Sequence, residues 1–250
     1  MIPRRSEFIA RLAARVGRVG WLKAFFTPFY YIYRRIFVIP LTQKRNELFR
    51  TNAINVLNDF DSCMVQNGFD YTLAFGTMLG AVREHGFIQH DLDLDVAMWI
   101  DQHSQSFRDC MLNAGFNLLH ELTVDNGKSG LELTYYKDDV TIDIFFVYPA
   151  IDKYPYCCDF LAVPGSASFA HSMERFGRII ARRLQLPWTR EYIRVPFANL
   201  QLPICKNADE ILAFRYGPDY LIPNPKWHYT DTNQYTTVWE EKKGVANVYN

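Results

Sequence analysis

Between Thr42 and Asn67 the apolar residues Phe49, Ala53, Leu57, Phe60 and Met64 recur at three- and four-residue intervals. That spacing predicts an amphipathic helix, stopped by Asn67-Gly68. A short strand is expected over Asp70–Phe75, ending at Gly76-Thr77, followed by a helix over Met78–Glu84 and a turn at His85-Gly86. Phe87 to Trp99 reads as a strand in its second half, and residues 104–114 as a helix. Leu131–Tyr136 and Val140–Tyr148 are β-rich runs joined by Lys137-Asp138-Asp139, the pattern of a paired hairpin. Residues 172–186 read as an Arg-rich helix with Arg175, Arg178 and Arg182 on one face, a solvated face before it is a phosphate or glycan contact. Residues 191–203 read as extended, and Asn207 caps a helix to Tyr216 that Gly217 stops. No repeat or low-complexity linker interrupts this order. It predicts one α+β domain over residues 45–225, a helical arm over 1–44 and a tail over 226–250.

Composition changes this picture at the N-terminus. The chain has 250 residues, 49% of them hydrophobic and 22% charged, which excludes a disordered or fibrous protein. The formal net charge is zero, which argues against nucleic acid as a partner. That zero is a sum of opposites. Residues 1–50 hold eleven Lys/Arg against two Asp/Glu, and residues 51–160 hold seventeen acids against five bases. Such asymmetry suggests an interaction arm. Within the arm, residues 21–41 are strongly apolar, but Lys23, Arg34, Arg35, Pro28 and Pro40 interrupt them, so no spanning helix is expected. Basic residues beside Trp, Phe and Tyr fit an arm over residues 1–40 at an anionic membrane surface. They fit equally an arm docked on the protein's own core or on a second subunit. The five cysteines lack metal-site or framework spacing and no signal peptide is visible, so reduced thiols and a cytoplasmic location are expected.

The chemistry concentrates at Asp91-Leu92-Asp93-Leu94-Asp95. On a strand the three carboxylates would share one face while Leu92 and Leu94 enter the core. Clustered carboxylates repel unless a cation sits among them, and hard oxygen donors suit Mg²⁺ or Mn²⁺. A calcium-binding loop is excluded, because the sixth and twelfth positions are Val96 and Gln102. Asp143 lies in the otherwise apolar run VTIDIFF, where an ionised carboxylate is costly unless compensated. It is read as a third ligand or a base, against a strand-end partner for an Arg. Gly76-Thr77, between strand and helix, suits phosphate. Arg83 and His85 follow as cations for that phosphate, or Arg83 as the partner of an aspartate.

Taken together, FGTMLGAVREHGFIQHDLDLDVAMW (75–99), VTIDIFFVY (140–148) and LPICKNADEILAFRYGPDYLIPNP (202–225) resemble, in order, the motifs of the LicD and fukutin family of phosphotransferases. The resemblance implies a nucleotidyltransferase-like core, a small mixed sheet flanked by helices. It further implies transfer of a phosphorylated alcohol, of the phosphocholine or ribitol-phosphate kind, from a CDP-linked donor to a sugar hydroxyl of a cell-surface glycan. Carried over by position, Asp93 and Asp95 would bind Mg²⁺ or Mn²⁺, with Asp91 binding or supporting it. Asp143 would be the third ligand or, like Asp91, the base. Gly76, Thr77 and Arg83 would hold donor phosphate. Many bacterial members have Pro-Trp before three consecutive aspartates. Here Gln89-His90 precede the motif and Leu92 replaces the middle acid, a form closer to the fukutin-related branch, with His90 expected near the ligand.

The arm would then hold the enzyme at the inner face of the cytoplasmic membrane, beside a lipid-linked glycan acceptor such as capsule, lipopolysaccharide or teichoic acid. Two other readings compete: a nucleotidyltransferase releasing pyrophosphate, and a non-catalytic membrane-associated assembly protein.

Overall fold

The computed structural model describes residues 39–88, 91–224, 227–228, 230 and 233–249, with side chains from residue 46 onward. The basic arm and its expected membrane contact therefore lie outside the described side chains, as does His90.

The long helix α1 (Ile39–Asn67) starts three residues before its predicted onset and buries Phe49, Ala53, Val56, Leu57, Phe60 and Met64 on one stripe. The short strand β1 (Thr72–Leu73) leads into α2 (Phe75–Arg83) and then β2 (Leu94–Trp99). Next come α3 (Gln105–Asn113), capped by the Ser104 hydroxyl, and the strands β3 (Asn117–Val124), β4 (Gly130–Lys137) and β5 (Val140–Val147). The main sheet has six strands in the order β1-β2-β5-β4-β3, closed by the C-terminal strand β11 (Gly244–Val248). Only β2 and β5 run parallel; every other pair is antiparallel. The architecture is thus a mixed α/β fold with a mixed sheet and, among the described residues, five helices.

Alternation divides the sheet into two unlike faces. Leu94, Val96 and Met98 of β2 and Ile142, Ile144 and Phe146 of β5 are buried. Helices α1 and α3 cover that face, with the ring of Phe107 6.1 Å from Phe146. The opposite face carries Asp95, Asp143, Thr134 and Glu132. Over it lie α2, a three-stranded sheet in the order β10-β7-β6, and α5 (Ala208–Tyr216). These strands are β6 (Tyr156–Leu161), β7 (Ile180–Gln185) and β10 (Thr236–Val238). The two-residue turn between β4 and β5 places Asp138 and Asp139 at φ 47° and 65°, the twist that favours a tight hairpin. Asn52 and Asp59 of α1 fasten to this hairpin through Asp138 and Lys137.

Two local expectations fail, each for a physical reason. The predicted Arg-rich helix over 172–186 is a helix, a break and a strand: α4 (Phe169–Phe176), Gly177 in the left-handed region at φ 62°, then β7. A left-handed glycine ends a helix, and the Ile-Ile run after it favours a strand. Arg175, Arg178 and Arg182 therefore share no helical face, and Arg182 is fully buried in β7. The segment over 191–203 is extended as expected, folded into a hairpin of β8 (Tyr192–Phe197) and β9 (Leu200–Cys205). Its tip docks on the loop after α2, where Ala198 N–H donates to the His85 carbonyl and Phe197 meets Phe87 edge-on. Finally, Cys63 of α1 and Cys110 of α3 form a disulfide with Cα atoms 6.5 Å apart, against the expectation of five reduced cysteines. Their separation of 47 residues hides a contact that only helix packing creates. The other three cysteines are buried thiols.

Candidate active site

The strand predicted over Asp70–Phe75 pairs only at Thr72 and Leu73, and helix α2 begins at Phe75, whose φ is 39°. Gly76 and Thr77 thus sit in the first turn of α2, where both are committed to one acid. The Gly76 N–H donates to Asp95 Oδ2 at 3.1 Å, and the Asp95 N–H donates to Thr77 Oγ1 at 2.8 Å. Thr77 is completely buried. A Cβ on Gly76 would stand 3.2 Å from Asp91 Oδ1 and 3.3 Å from Asp95 Oδ2, so a side chain here would press on both carboxylates. Gly80, one turn later, is fixed more rigidly: its Cβ would lie 2.3 Å from the Gly86 carbonyl oxygen.

The acidic triplet is not one strand. Asp91 N–H donates to the Ile88 carbonyl, and Asp91 Oδ2 accepts from Ile88 N–H, closing a small loop. β2 starts at Leu94, so only Asp95 of the three is a strand residue, and Leu92 is half-buried rather than in the core. The carboxylates nonetheless gather. Asp95 stands directly beside Asp143 on the parallel neighbour β5. Burial pushes the Asp95 carboxyl well above the ordinary range, and the charges of Asp93, Asp143 and Asp91 push it further against the Gly76 hydrogen bond. Asp91 is raised to about 7, mostly by burial and secondarily by Asp93, with the Ile88 hydrogen bond and Arg83 opposing. Arg83 also pairs with Glu84 at 2.9 Å.

Glu132, Asp159, Arg215 and Tyr216, none of them singled out from the sequence, complete the surroundings together with Arg182. Glu132 of β4 shares the acidic face and is 8% exposed; its carboxyl is raised well above normal by burial, then by Asp143, Asp159 and Asp95. Behind it, Arg182 forks onto Asp159 of β6, its Nε 2.8 Å from Oδ1 and its Nη2 on Oδ2. Arg215 and Tyr216, in the last turn of α5, arrive from the other side. The Tyr216 phenol lies within the fields of Arg215, Asp95, Asp91 and Arg83, and burial raises it.

The donor set is four carboxylates, hard oxygen ligands of the kind that hold Mg²⁺ or Mn²⁺. Their mutual repulsion is the charge imbalance that a divalent cation relieves, and in that sense the residues fit one. Among the described residues they do not close into a ready-made group of three metal ligands.

Residues 68–160, which carry Asp91, Asp93, Asp95 and Asp143, match the family described as "LicD/FKTN/FKRP, nucleotidyltransferase domain". The chain is thus similar to the LicD family over this segment. Among curated relatives of this chain, the mouse (Mus musculus) protein named "Ribitol-5-phosphate transferase FKTN" is 26% identical over 181 residues. That match covers 72% of this chain and 35% of the relative. The human protein of the same name is 24% identical over 180 residues, with the same shares covered. The chain thus spans about a third of the length of the curated relatives it matches. No helix among the described residues is long and apolar enough to cross a membrane.

Proposed function

We propose that this chain is a phosphotransferase that moves a phosphorylated alcohol, of the ribitol-phosphate or phosphocholine class, from a CDP-linked donor to a sugar hydroxyl of a glycan. The observation that carries this reading is the pair Asp95 and Asp143, side by side on parallel strands beneath the first turn of α2, inside the segment that matches the family. The names of the curated relatives add ribitol 5-phosphate as the first alcohol to try. Asp91, Asp93, Asp95 and Asp143 are the residues that would hold Mg²⁺ or Mn²⁺. Such an ion, when bound, supplies charge neutralisation to the transferring phosphoryl group and its leaving group.

The chain's own residues do the rest. Gly76 holds the Asp95 carboxylate and Thr77 accepts the Asp95 backbone N–H, so both position this acid beside the donor phosphate they are proposed to bind. Asp91, where it supports rather than binds the ion, would accept the proton of a sugar hydroxyl; Asp143 is the alternative base. The arm remains a proposed membrane anchor beside a lipid-linked capsule, lipopolysaccharide or teichoic-acid acceptor.

Incubation with CDP-ribitol and CDP-choline, with and without EDTA, tests the reading. CMP release that needs Mg²⁺ and is accelerated by a glycan acceptor is expected. Pyrophosphate release from CTP with no reaction of CDP-alcohols would instead assign a nucleotidyltransferase. Donor binding that is indifferent to both EDTA and Asp93→Ala would leave only an assembly role.

Metal binding requires ionised carboxylates, so it is linked to pH. With Asp91 near 7 in the metal-free protein, Mg²⁺ affinity should rise roughly tenfold or more from pH 6 to pH 8. Calorimetric titration at pH 6, 7 and 8 checks this, and Asp91→Asn should flatten the slope. An affinity independent of pH in the parent protein would remove Asp91 from the ligand set.

A further inference from the structure

Resting on the reading in which Asp91 helps to hold the cation, we infer that Phe87 is a positioning residue for the Asp91 carboxylate, itself held by the tip of the β8–β9 hairpin. Residues 84–93 connect α2 to β2, and among the described ones none lies in a helix or strand. Such a connection has no hydrogen-bond ladder to hold it still. Asp91 nevertheless keeps its Oδ1 beside Gly76, where a Cβ would stand 3.2 Å from it and 3.3 Å from Asp95 Oδ2. The two bonds between Asp91 and Ile88 close a small loop, but they tie the segment only to itself. What fixes that loop to the body of the protein lies immediately upstream.

Three contacts do so. The Gly86 N–H donates to the Gly80 carbonyl at 3.3 Å, and the Gly86 carbonyl oxygen fills the space that a Cβ on Gly80 would need. The His85 carbonyl accepts from the Ala198 N–H at 2.6 Å. Both partners of that bond lie at positive φ, 54° and 51°, a conformation that residues other than glycine keep only where their neighbours impose it. Finally, the Phe87 ring makes edge-to-face contacts with the buried Phe197 at 4.8 Å and with Phe49 of α1 at 5.3 Å. Edge-to-face packing sets the direction of a ring as well as its depth, which an aliphatic side chain does not reproduce. Of the three contacts this one is nearest Asp91, and it is the one made by side chains. The hairpin is anchored independently of it. Its root is fastened to β1 by the Cys205 N–H on Thr72 Oγ1 at 2.9 Å, and Arg194 of β8 donates to Asp61 of α1 at 2.6 Å. The tip is thereby left to grip the loop that presents Asp91.

A double-mutant cycle on Mg²⁺ binding tests the assignment, by calorimetry on the full chain for the parent protein, Phe87→Leu, Asp91→Asn and their combination. Phe87→Leu should weaken Mg²⁺ about 3- to 10-fold, at or below the low end of the about 10- to 100-fold typical of a group bonded directly to a metal ligand. In the Asp91→Asn background the same substitution should change the affinity by less than about twofold, because the carboxylate it positions is gone. Phe197→Leu, which loosens the ring from the other side, should behave alike. A merely structural phenylalanine would lower the melting temperature and weaken Mg²⁺ equally in both backgrounds. That result, or parent affinity in folded Phe87→Leu and Phe197→Leu, would overturn the inference; if Phe87→Leu does not fold, Phe197→Leu decides alone. An Asp91→Asn variant with the parent affinity removes Asp91 from the cation site, and a parent protein that binds no Mg²⁺ removes the metal reading itself. Either outcome takes this inference with it.

Discussion

Asp95→Asn is expected to abolish transfer and, at the same time, to stabilise the metal-free protein. The asparagine keeps an oxygen for the Gly76 N–H and leaves the Thr77 contact untouched, because that contact uses the backbone N–H of residue 95. What disappears is one buried negative charge among Asp91, Asp93 and Asp143. Activity should fall by about 10³-fold or more, equivalent to about 4 kcal/mol of barrier. Stability should rise by roughly 0.5–2 kcal/mol, since relieving strain held at a functional site commonly returns that much. In melting temperature this is a gain of several degrees for a chain of this size. Thermal melts in EDTA beside turnover assays check both halves. A variant retaining a tenth of the activity would remove Asp95 from the metal set. A variant that is less stable without metal would show that the carboxylate serves the fold. Added Mg²⁺ should narrow the stability gap, because the parent protein gains more from the ion than the variant does.

How much of this site was legible in the sequence depends on how local its causes are. The alternation of Asp91, Asp93 and Asp95 announced a cluster, and Asp143 stood out as a charge in an apolar run. Both lie within segments of a few residues, and parallel pairing of β2 with β5 brings them together. Their exact setting was not legible, because Asp91 turns back on Ile88 and ends the strand pattern early. Glu132 was within reach of a register count: the tight turn at Asp138-Asp139 pairs Thr134 with Asp143, and residues 132 and 134 share that face. Arg215 was not, because its approach to Phe75 depends on how α5 packs on α2 across a separation of 140 positions. The disulfide and the final strand β11 escaped for the same reason. Arg182 was misplaced for a different one. Its helical spacing with Arg175 and Arg178 was genuine, but Gly177 cut the periodicity in the middle, and a stop signal outweighs a repeat that crosses it.

Arg182→Met carries the largest expected effect on stability. Arg182 is fully buried, and it grips Asp159 with two donors while also opposing the rise of Glu132. Burial already holds Asp159 above the ordinary carboxylate range despite this partner. Removing the guanidinium leaves a buried acid with its main compensation gone, a change that typically costs about 3–5 kcal/mol. A loss of roughly 6–20 °C in melting temperature follows. The pH dependence has a definite sign. Without Arg182 the folded-state value of Asp159 rises further above its unfolded value near 4, so the folded form binds the extra proton and gains relative stability as pH falls. The deficit against the parent should therefore shrink between pH 7 and pH 5. Melts at both values separate this from a packing defect, which would be equally deep at each. Replacing the pair together, Arg182→Met with Asp159→Leu, should recover most of the loss, because an apolar pair of similar volume needs no desolvated charge. If the double variant is as unstable as Arg182→Met alone, the arginine supports the fold through contacts other than Asp159. If the double variant is stable yet transfers poorly, then the layer of charge behind Glu132 and Asp143 serves the chemistry in front of it rather than the fold around it.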